Sequence, residues 1–282
     1  MNTPRVAAIH DLSGFGRCSL SIVMPTLSAM GVQCCPLPTA YLSTHTGGFS
    51  GNTFLDLTNQ MANVTAHWNA EGVTFDAVYT GFMGSQEQMT LTADFIRTFK
   101  TARNYIVIDP VMGDHGKPYR TYTEEMCTAM GELSQLADVL TPNRTEAAIL
   151  LGVPYEALTL DSEADSRHWA YALSLNGTRS VVLTGVSLSP DTVGAVCYDH
   201  IRNETTFVQA ARVAEQFHGT GDLFASVLTG ALCRGKRLHD AAQLAADFVS
   251  QVAAYTTTQN HPKREGVDFE PLLWQLGRRI FD

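Results

Sequence analysis

The segment "YIVIDPVMGDHG", residues 105–116, runs from a continuous apolar stretch into two aspartates among turn-forming residues. Continuous apolar runs that end in turn residues are typical of strands buried on both faces of a parallel sheet. The run at 105–111 is one of several, and similar runs predict strands at residues 5–11, 77–83, 138–143 and 180–186. Since ligands of such sheets bind beyond the carboxyl ends of the strands, the polar residues that end each run are the candidates for function.

The intervals between these runs have the composition of helices. Helices are predicted at residues 19–30, 87–101, 123–136, 144–151, 162–176, 221–233 and 238–258. Strands that alternate with helices indicate an α/β protein with a doubly wound sheet. Near residues 192–213 the pattern changes, because the runs TVGAVCYD and TTFVQAARV flank polar HIRNE and predict a hairpin. No linker, repeat or low-complexity tract interrupts this order, so residues 1–282 are expected to form a single domain.

Charge and composition narrow the classes of function. The net charge of −9 argues against nucleic acid as a partner, although a small anionic ligand could still bind to backbone N–H groups. No apolar span is long enough to predict a membrane helix, and the N-terminus lacks the apolar region of a signal peptide. The six cysteines form no C-x-x-C pair, so we expect reduced, mostly buried thiols in a cytoplasmic protein.

Several common catalytic motifs are missing from the chain. The segment SGFGRCS (13–19) resembles a dinucleotide fingerprint, but Ser19 occupies the third glycine position and no acid lies between Asp11 and Asp56. There is no G-x-x-x-x-G-K-[ST] phosphate loop, no G-x-S-x-G nucleophile elbow and no metal-type spacing of His and Cys. These absences disfavour dinucleotide enzymes, P-loop proteins and serine hydrolases.

The segment FHGTGDLFASVLTGAL (217–232) joins a glycine-rich turn to an apolar helix. Gly219 and Gly221 would let backbone N–H groups point into one concavity at a helix start, which is a favourable site for phosphate. Because the helix is apolar on most sides, its N-terminus is expected to point at the strand ends, with Asp222 partly desolvated. The alternative is that Asp222 is a plain helix N-cap.

Further acids follow the predicted strands. Asp109 ends one strand, Asp114 lies in a glycine-rich loop, and Asn143 and Glu146 follow the strand at 138–143. If Asp109, Glu146 and Asp222 converge at one edge of the sheet, their like charges require a cation, and hard oxygen ligands select Mg²⁺. The alternative for Glu146 is a capping-box acid paired with Asn143.

The polar loop STHTGGFSG (43–51) follows the strand-like run QCCPLPTAYL. On its own this loop favours a simple loop histidine at His45 over a catalytic one.

Taken together, these motifs resemble those of the ribokinase superfamily of sugar and vitamin kinases, and within it the pyridoxal (vitamin B6) kinases. The likeness rests on Asn-x-x-Glu at 143–146, Gly-Thr-Gly-Asp at 219–222, DPVMGD, TPN…EA and STHTG, and it spans most of the chain. It implies an α/β, ribokinase-like fold, with a mostly parallel central sheet flanked by helices on both faces. The whole of 1–282 would then be one kinase domain, with Mg²⁺ and ATP required and a homodimer as the assembly.

The resemblance also implies roles for individual residues. Asp222 would be the catalytic base, and Gly219, Thr220 and Gly221 would form the anion hole. ATP and its metal would be bound by a set at the strand ends: Asp109, Asp114, Thr141, Asn143, Glu146 and Thr184, with Asp109 and Glu146 facing the metal. The B6 vitamer would contact a second set, Asp11, His45, Thr46 and Phe82, together with Asp222.

Asp11 departs from the B6 kinase pattern, which has a serine just after the first strand, facing the pyridine ring. An acid followed by small residues resembles the hydroxymethylpyrimidine kinases of thiamin synthesis, although those often end the anion-hole motif in Cys and this chain has Asp222. Asp11 is expected to accept a hydrogen bond from a ring nitrogen, a hydroxyl or an amine of the ligand. Three functions therefore stay open: a B6 kinase, a hydroxymethylpyrimidine kinase, and a catalytically silent nucleotide-binding protein on the same fold.

Overall fold

The structure, a computed structural model, describes residues 2–281. Its strands are β1 (Arg5–Ser13), β2 (Gln33–Leu42), β3 (Phe54–Asp56), β4 (Ala77–Thr80), β5 (Tyr105–Ile108), β6 (Gly113–Asp114), β7 (Lys117–Pro118), β8 (Val139–Leu140), β9 (Ser180–Val186), β10 (Thr192–Asp199) and β11 (Glu204–Ala211). Within that range nine strands form one sheet in the order β11-β10-β9-β8-β5-β4-β1-β2-β3. Its middle strands are parallel, and antiparallel pairs lie at the two edges.

Helices cover both faces of this sheet. They are α1 (Leu20–Ala29), α2 (Thr58–Ala70), α3 (Gln86–Phe99), α4 (Glu124–Ser134), α5 (Arg144–Leu151), α6 (Glu163–Leu173), α7 (Thr220–Cys233), α8 (Leu238–Thr257) and α9 (Leu273–Phe281). In β1, Val6 and Ala8 pack into the core on the side of α1, α7 and α8, whereas Ala7 and Ile9 pack on the side of α3 and α4. This alternation, with every member apolar, is why the strand sequence shows no polar period. The mostly parallel α/β fold is confirmed.

Several predicted strands end earlier than their apolar runs. The strand predicted at 105–111 stops at Ile108, since Asp109 is followed by Pro110, which has no N–H to donate to a neighbouring strand. The strand predicted at 138–143 is reduced to Val139–Leu140, because Pro142 leads directly into the N-cap of α5. The hairpin is confirmed as β10 and β11.

The sequence analysis missed α2, α9, β3 and the β6–β7 hairpin. Only Thr58 and Met61 of α2 and only Leu276 of α9 are buried, and every residue of β3 is exposed. The helix α2 and the strand β3 carry little apolar periodicity, which is the main signal available from a sequence, whereas α9 is amphipathic but only nine residues long.

Two further expectations concern the state of the cysteines and the absence of a membrane helix. All six cysteines are free thiols, as expected, but only Cys197 is buried and the other five are half-buried, so the expectation of mostly buried thiols is wrong. Among residues 2–281 no helix is both long and apolar enough to cross a membrane. The single-domain organisation of 1–282 stays a prediction.

Candidate active site

The turn before α7 requires the first glycine of the Gly-Thr-Gly-Asp segment but not the second. Gly219 is the N-cap of α7 and has a φ of 83°, which favours glycine. A Cβ at Gly219 would lie 2.4 Å from the carbonyl oxygen of Arg17, so no larger residue fits there. A Cβ at the exposed Gly221 would meet nothing within 4 Å. The turn is therefore tightly packed on one side and open on the other.

Asp222 lies in the first turn of α7 and does not cap the helix. Its carboxylate oxygen Oδ2 accepts a hydrogen bond from the backbone N–H of Ser19 at 2.9 Å. No hydrogen bond joins that carboxylate to an N–H of its own helix among the described residues. The alternative of a plain N-cap is therefore wrong, and the carboxylate of Asp222 lies between α7 and the start of α1.

The environment of Asp222 makes it a stronger base than an exposed aspartate. Its pKa is raised to about 6, mainly by burial and to a lesser extent by the negative charge of Asp11, while the N–H of Ser19 acts in the opposite direction. At neutral pH the group is mostly ionised, yet it binds a proton more readily than an aspartate with an ordinary pKa.

The first turn of α7 provides hydrogen-bond donors beside this carboxylate. The backbone N–H groups of Thr220, Gly221 and Asp222 have no acceptor within residues 2–281, as is usual for a helix start. The hydroxyl of Thr220 donates to the carbonyl of Phe217 at 3.3 Å, which fixes the turn. Free N–H groups and the positive end of the helix dipole suit an anion such as a phosphoryl group.

Asp109 is a second buried acid at the same edge of the sheet, directly after β5. Burial and the charge of Asp222 raise its pKa to about 8, while a hydrogen bond from Thr141 acts in the opposite direction. Among residues 2–281, neither Asp109 nor Asp222 forms an ion pair with a basic side chain. The described part of the protein therefore provides no basic partner for these two acids, and a pKa near 8 keeps Asp109 mostly protonated at neutral pH until a cation binds.

Glu146 has the capping role that the sequence offered as an alternative. Its Oε2 accepts the N–H of Asn143 at 2.8 Å, and its own N–H donates to the side chain of Asn143 at 3.0 Å, which completes a capping box. Its Oε1 also accepts the N–H of Met112 at 3.2 Å. Burial, and then the charge of Asp109, raises the pKa of Glu146 well above its ordinary value.

The three acids interact electrostatically but do not form a ready metal cage. Within the described part of the chain, no three His, Cys, Asp or Glu side chains are close enough together to hold an ion. The donors at this edge are hard carboxyl oxygens, which fits Mg²⁺ held largely through waters and phosphates. Asp109 and Glu146 stay the predicted metal-facing pair.

The loop after Asp109 forms a small hairpin, β6 and β7, that is anchored on α5. A Cβ at Gly113 would lie 2.3 Å from the carbonyl oxygen of Lys117, so the hairpin requires glycine there. The side-chain amide of Asn143 donates to the carbonyl of Gly113 at 2.9 Å, and the N–H of Gly116 donates to the hydroxyl of Thr145 at 2.9 Å.

The other predicted ATP residues lie near this hairpin and on β9. Asp114 is exposed on the hairpin and accepts the N–H of His115 at 2.7 Å. Thr184 in β9 is half-buried, and its N–H donates to the carbonyl of Pro142 at 2.9 Å. The structure thus brings Asn143 and Glu146 into one network and leaves Asp114 on the outside, so the ATP roles of Asp114 and Thr184 stay predictions.

Asp11 lies near the end of β1 and is only 5% exposed. Its Oδ1 accepts the hydroxyl of Ser19 at 2.6 Å, and its Oδ2 accepts the hydroxyl of Ser13 at 3.4 Å. The chain itself therefore supplies two donors to this carboxylate, and a further contact of Asp11 with a ligand stays a prediction. Burial still raises the pKa of Asp11, against the effect of both hydroxyls.

His45 is buried and both of its ring nitrogens are engaged. Nε2 lies 2.6 Å from the carbonyl oxygen of Arg264, and Nδ1 accepts the N–H of Gly47 at 3.1 Å. These contacts tie the 43–51 loop to the C-terminal segment, and they support the simple loop role. Thr46 is exposed, and Phe82 packs against Tyr122 with ring centroids 5.9 Å apart. Contacts of these three residues with a vitamer stay predictions.

Sequence reasoning missed the two residues that connect the loop after β1 to the rest of the site. Ser19 contacts both Asp11 and Asp222. Arg17 forms ion pairs with Asp268 at 2.6 Å and with Glu270 at 2.8 Å. The glycine-rich segment signalled a special loop, but these partners are distant in sequence and nothing local points to them.

A half-buried aspartate of raised pKa, beside free helix N–H groups and further acids at the carboxyl edge of a parallel sheet, defines a site for transfer of a phosphoryl group. The phosphomethylpyrimidine kinase family model matches residues 24–266, and the chain belongs to that family, in the ribokinase superfamily. It is a phosphotransferase with a pyridoxal kinase-like fold.

Individual relatives agree with this assignment. A solved structure from Bacteroides thetaiotaomicron, described as a "putative phosphomethylpyrimidine kinase" with pyridoxal, is 40% identical with a TM-score of 0.90, covering 98% of this chain and 96% of that one. Pyridoxal kinase from Lactobacillus plantarum is 31% identical with a TM-score of 0.88, covering 98% and 97%. A hydroxymethylpyrimidine/phosphomethylpyrimidine kinase of Mycobacterium bovis is 28% identical over 93% of both chains. Some curated relatives are longer, and this chain spans about half their length.

Proposed function

We propose that this chain uses ATP to phosphorylate the hydroxymethyl group of pyridoxal, pyridoxine or pyridoxamine, as a pyridoxal kinase of vitamin B6 salvage. The observation that carries the proposal is the carboxylate of Asp222, with a pKa near 6, beside the unpaired N–H groups of the first turn of α7. A base and an anion site side by side are what transfer of a phosphoryl group to a hydroxyl requires. The pyridoxal bound by the Bacteroides relative supports the choice of substrate.

In this mechanism the chain positions the groups and handles one proton. Asp222 accepts the proton of the substrate hydroxyl while the hydroxyl oxygen attacks the γ-phosphate of ATP and displaces ADP. The N–H groups from Gly219 to Asp222 and the dipole of α7 stabilise the charge on the transferring group. The hairpin around Asp114 covers the phosphates and limits access of water. Bound Mg²⁺, near Asp109 and Glu146, would neutralise charge on the phosphates.

Asp11 favours a second candidate substrate, hydroxymethylpyrimidine. Its carboxylate has lone pairs beyond those used by Ser13 and Ser19, and these could accept a hydrogen bond from an exocyclic amine or a protonated ring nitrogen. The family match to phosphomethylpyrimidine kinases supports the same candidate.

A coupled assay with Mg·ATP separates these functions. Rates are measured side by side on pyridoxal, pyridoxine, pyridoxamine and hydroxymethylpyrimidine. We expect the highest kcat/KM of the four substrates to be that of a B6 vitamer. A higher kcat/KM on hydroxymethylpyrimidine would support the second candidate, and nucleotide binding without any turnover would support a silent binding protein.

We also propose a cytoplasmic homodimer. The exposed apolar side chains of Phe54 and Leu55 on the edge strand β3 support a contact between two copies. Sedimentation of the purified protein is expected to give twice the chain mass, and Phe54→Ser is expected to shift it towards the monomer.

A further inference from the structure

Ser19 has a backbone conformation that is unfavourable for any residue with a side chain. Its φ is 53° and its ψ is −134°, a combination that glycine adopts readily and serine does not. Ser19 is also the N-cap of α1, where a serine normally caps the helix with its hydroxyl, and here it does not. An unfavourable conformation persists only if other interactions hold it, so the contacts of Ser19 indicate what it does.

Those contacts lead to two acids that are far apart in the sequence. The N–H of Ser19 donates to Asp222 at 2.9 Å, and its hydroxyl donates to Asp11 at 2.6 Å. Its carbonyl oxygen accepts the N–H groups of Ile22 and Val23, so the residue is also fixed to α1. One residue therefore contacts both carboxylates.

The two donors of Ser19 have different requirements. Any residue except proline supplies the N–H that reaches Asp222, and glycine would supply it without backbone strain. Only a side-chain donor reaches Asp11. The hydroxyl is therefore the reason for a serine in a conformation that suits glycine.

We propose that Ser19 is a positioning residue that holds the base Asp222 through its N–H and the substrate-facing acid Asp11 through its hydroxyl, at one fixed separation. This inference rests on the proposed function, since it takes Asp222 as the base and Asp11 as a contact of the heterocycle. The loop from Gly14 to Cys18 leads into Ser19, and Gly16 packs against the His45 ring. Ser19 is thus placed where the substrate end of the site meets the base.

Two substitutions separate the roles of Ser19. Ser19→Gly removes the hydroxyl, keeps the N–H and relieves the backbone, so kcat should stay within about threefold while the KM for the vitamer rises roughly tenfold. The KM for ATP should stay within about twofold. Ser19→Ala removes the same hydroxyl but keeps the strained backbone, and its melting temperature should lie below that of Ser19→Gly. Ser13→Ala removes the weaker donor to Asp11 and serves as the matched control, with a smaller rise in KM.

A double-mutant cycle with Asp11→Ala, which leaves no side-chain acceptor at position 11, tests whether the hydroxyl acts through Asp11. If it does, Ser19→Gly should raise KM by less than about threefold in the Asp11→Ala background. The same cycle on melting temperature should also be non-additive. A merely structural role would lower kcat, raise the KM for both substrates and give additive effects.

The outcomes distinguish this inference from the proposed function. If the wild-type protein turns over neither a vitamer nor hydroxymethylpyrimidine, the proposed function fails, while the melting experiments still decide the geometry at Ser19. If the wild type is active and Ser19→Gly leaves the vitamer KM unchanged, the positioning role alone is overturned. A melting temperature of Ser19→Ala equal to or above that of Ser19→Gly also overturns it.

Discussion

Replacing Asp222 with asparagine removes the base and leaves its geometry in place. Asparagine has the same shape and keeps an oxygen that can accept the N–H of Ser19. In the wild type this N–H donates to the carboxylate at 2.9 Å. It cannot take up a proton. General-base assistance contributes roughly 10²–10⁴ in rate, so kcat should fall by that factor, equal to about 3–5 kcal/mol of activation free energy.

The pKa of Asp222 determines how this loss varies with pH. With a pKa near 6 the carboxylate is mostly ionised at pH 7.5, so the full effect should be measured there. The wild-type rate should fall as pH decreases through about 6, because the base becomes protonated. The residual rate of Asp222→Asn should lack this fall, and its dissociation constant for ATP should stay close to that of the wild type.

Asp240→Asn is a matched control, since Asp240 holds the equivalent first-turn position in α8 but is paired with Arg237 on the surface. The assay is the coupled measurement of ADP release with saturating Mg·ATP and a B6 vitamer. Asp240→Asn should retain nearly the full rate. If Asp222→Asn also keeps more than about a tenth of the wild-type rate, Asp222 is not the base.

Three further substitutions test other parts of the site. Glu146→Gln should raise the Mg²⁺ concentration needed for half-maximal rate, and an unchanged titration with intact activity would leave Glu146 with its capping role alone. Asp11→Ser should change the ranking of B6 vitamers and hydroxymethylpyrimidine by about 1–3 kcal/mol, or roughly tenfold or more; an equal loss on every substrate would indicate a structural role. The pKa of Asp109 is raised to about 8, so the folded protein binds a proton there that the unfolded chain releases. The stability that this proton contributes is lost as pH rises from about 4 to 8. Asp109→Asn should therefore raise the melting temperature at pH 8 but not at pH 4, and equal shifts at both pH values would contradict this origin.

The elements that the sequence could predict are those whose own residues carry the signal. Continuous apolar runs located β1, β4, β5 and β9, and the polar residues that end them gave the functional edge of the sheet. The capping box of Asn143 and Glu146 was readable because both partners lie within one helical turn. The helix α2 was missed because its few buried residues leave no clear period. The helix α9 has an amphipathic pattern, but it extends over only nine residues.

Contacts between distant segments could not be read in the same way. Asp11 was expected to take a hydrogen bond from a ligand, yet Ser19 also reaches it from the start of α1. The unusual φ of Ser19 has no signature in the amino-acid type, since serine is common at helix starts for another reason. A residue that acts through backbone geometry therefore becomes visible only once the fold is known.

The charges at the strand ends favour a role in binding over a role in stability. Burial raises the pKa of Asp109 to about 8 and that of Asp222 to about 6, so in the free protein ionisation of either carboxyl group opposes folding. Neither has a basic partner within residues 2–281, whereas the N–H groups at the start of α7 lie beside Asp222 and are unpaired. Ionising two neighbouring acids next to unused donors is costly unless a ligand brings both a cation and an anion to them. A nucleotide phosphate with its metal ion supplies both charges, and no single uncharged ligand would.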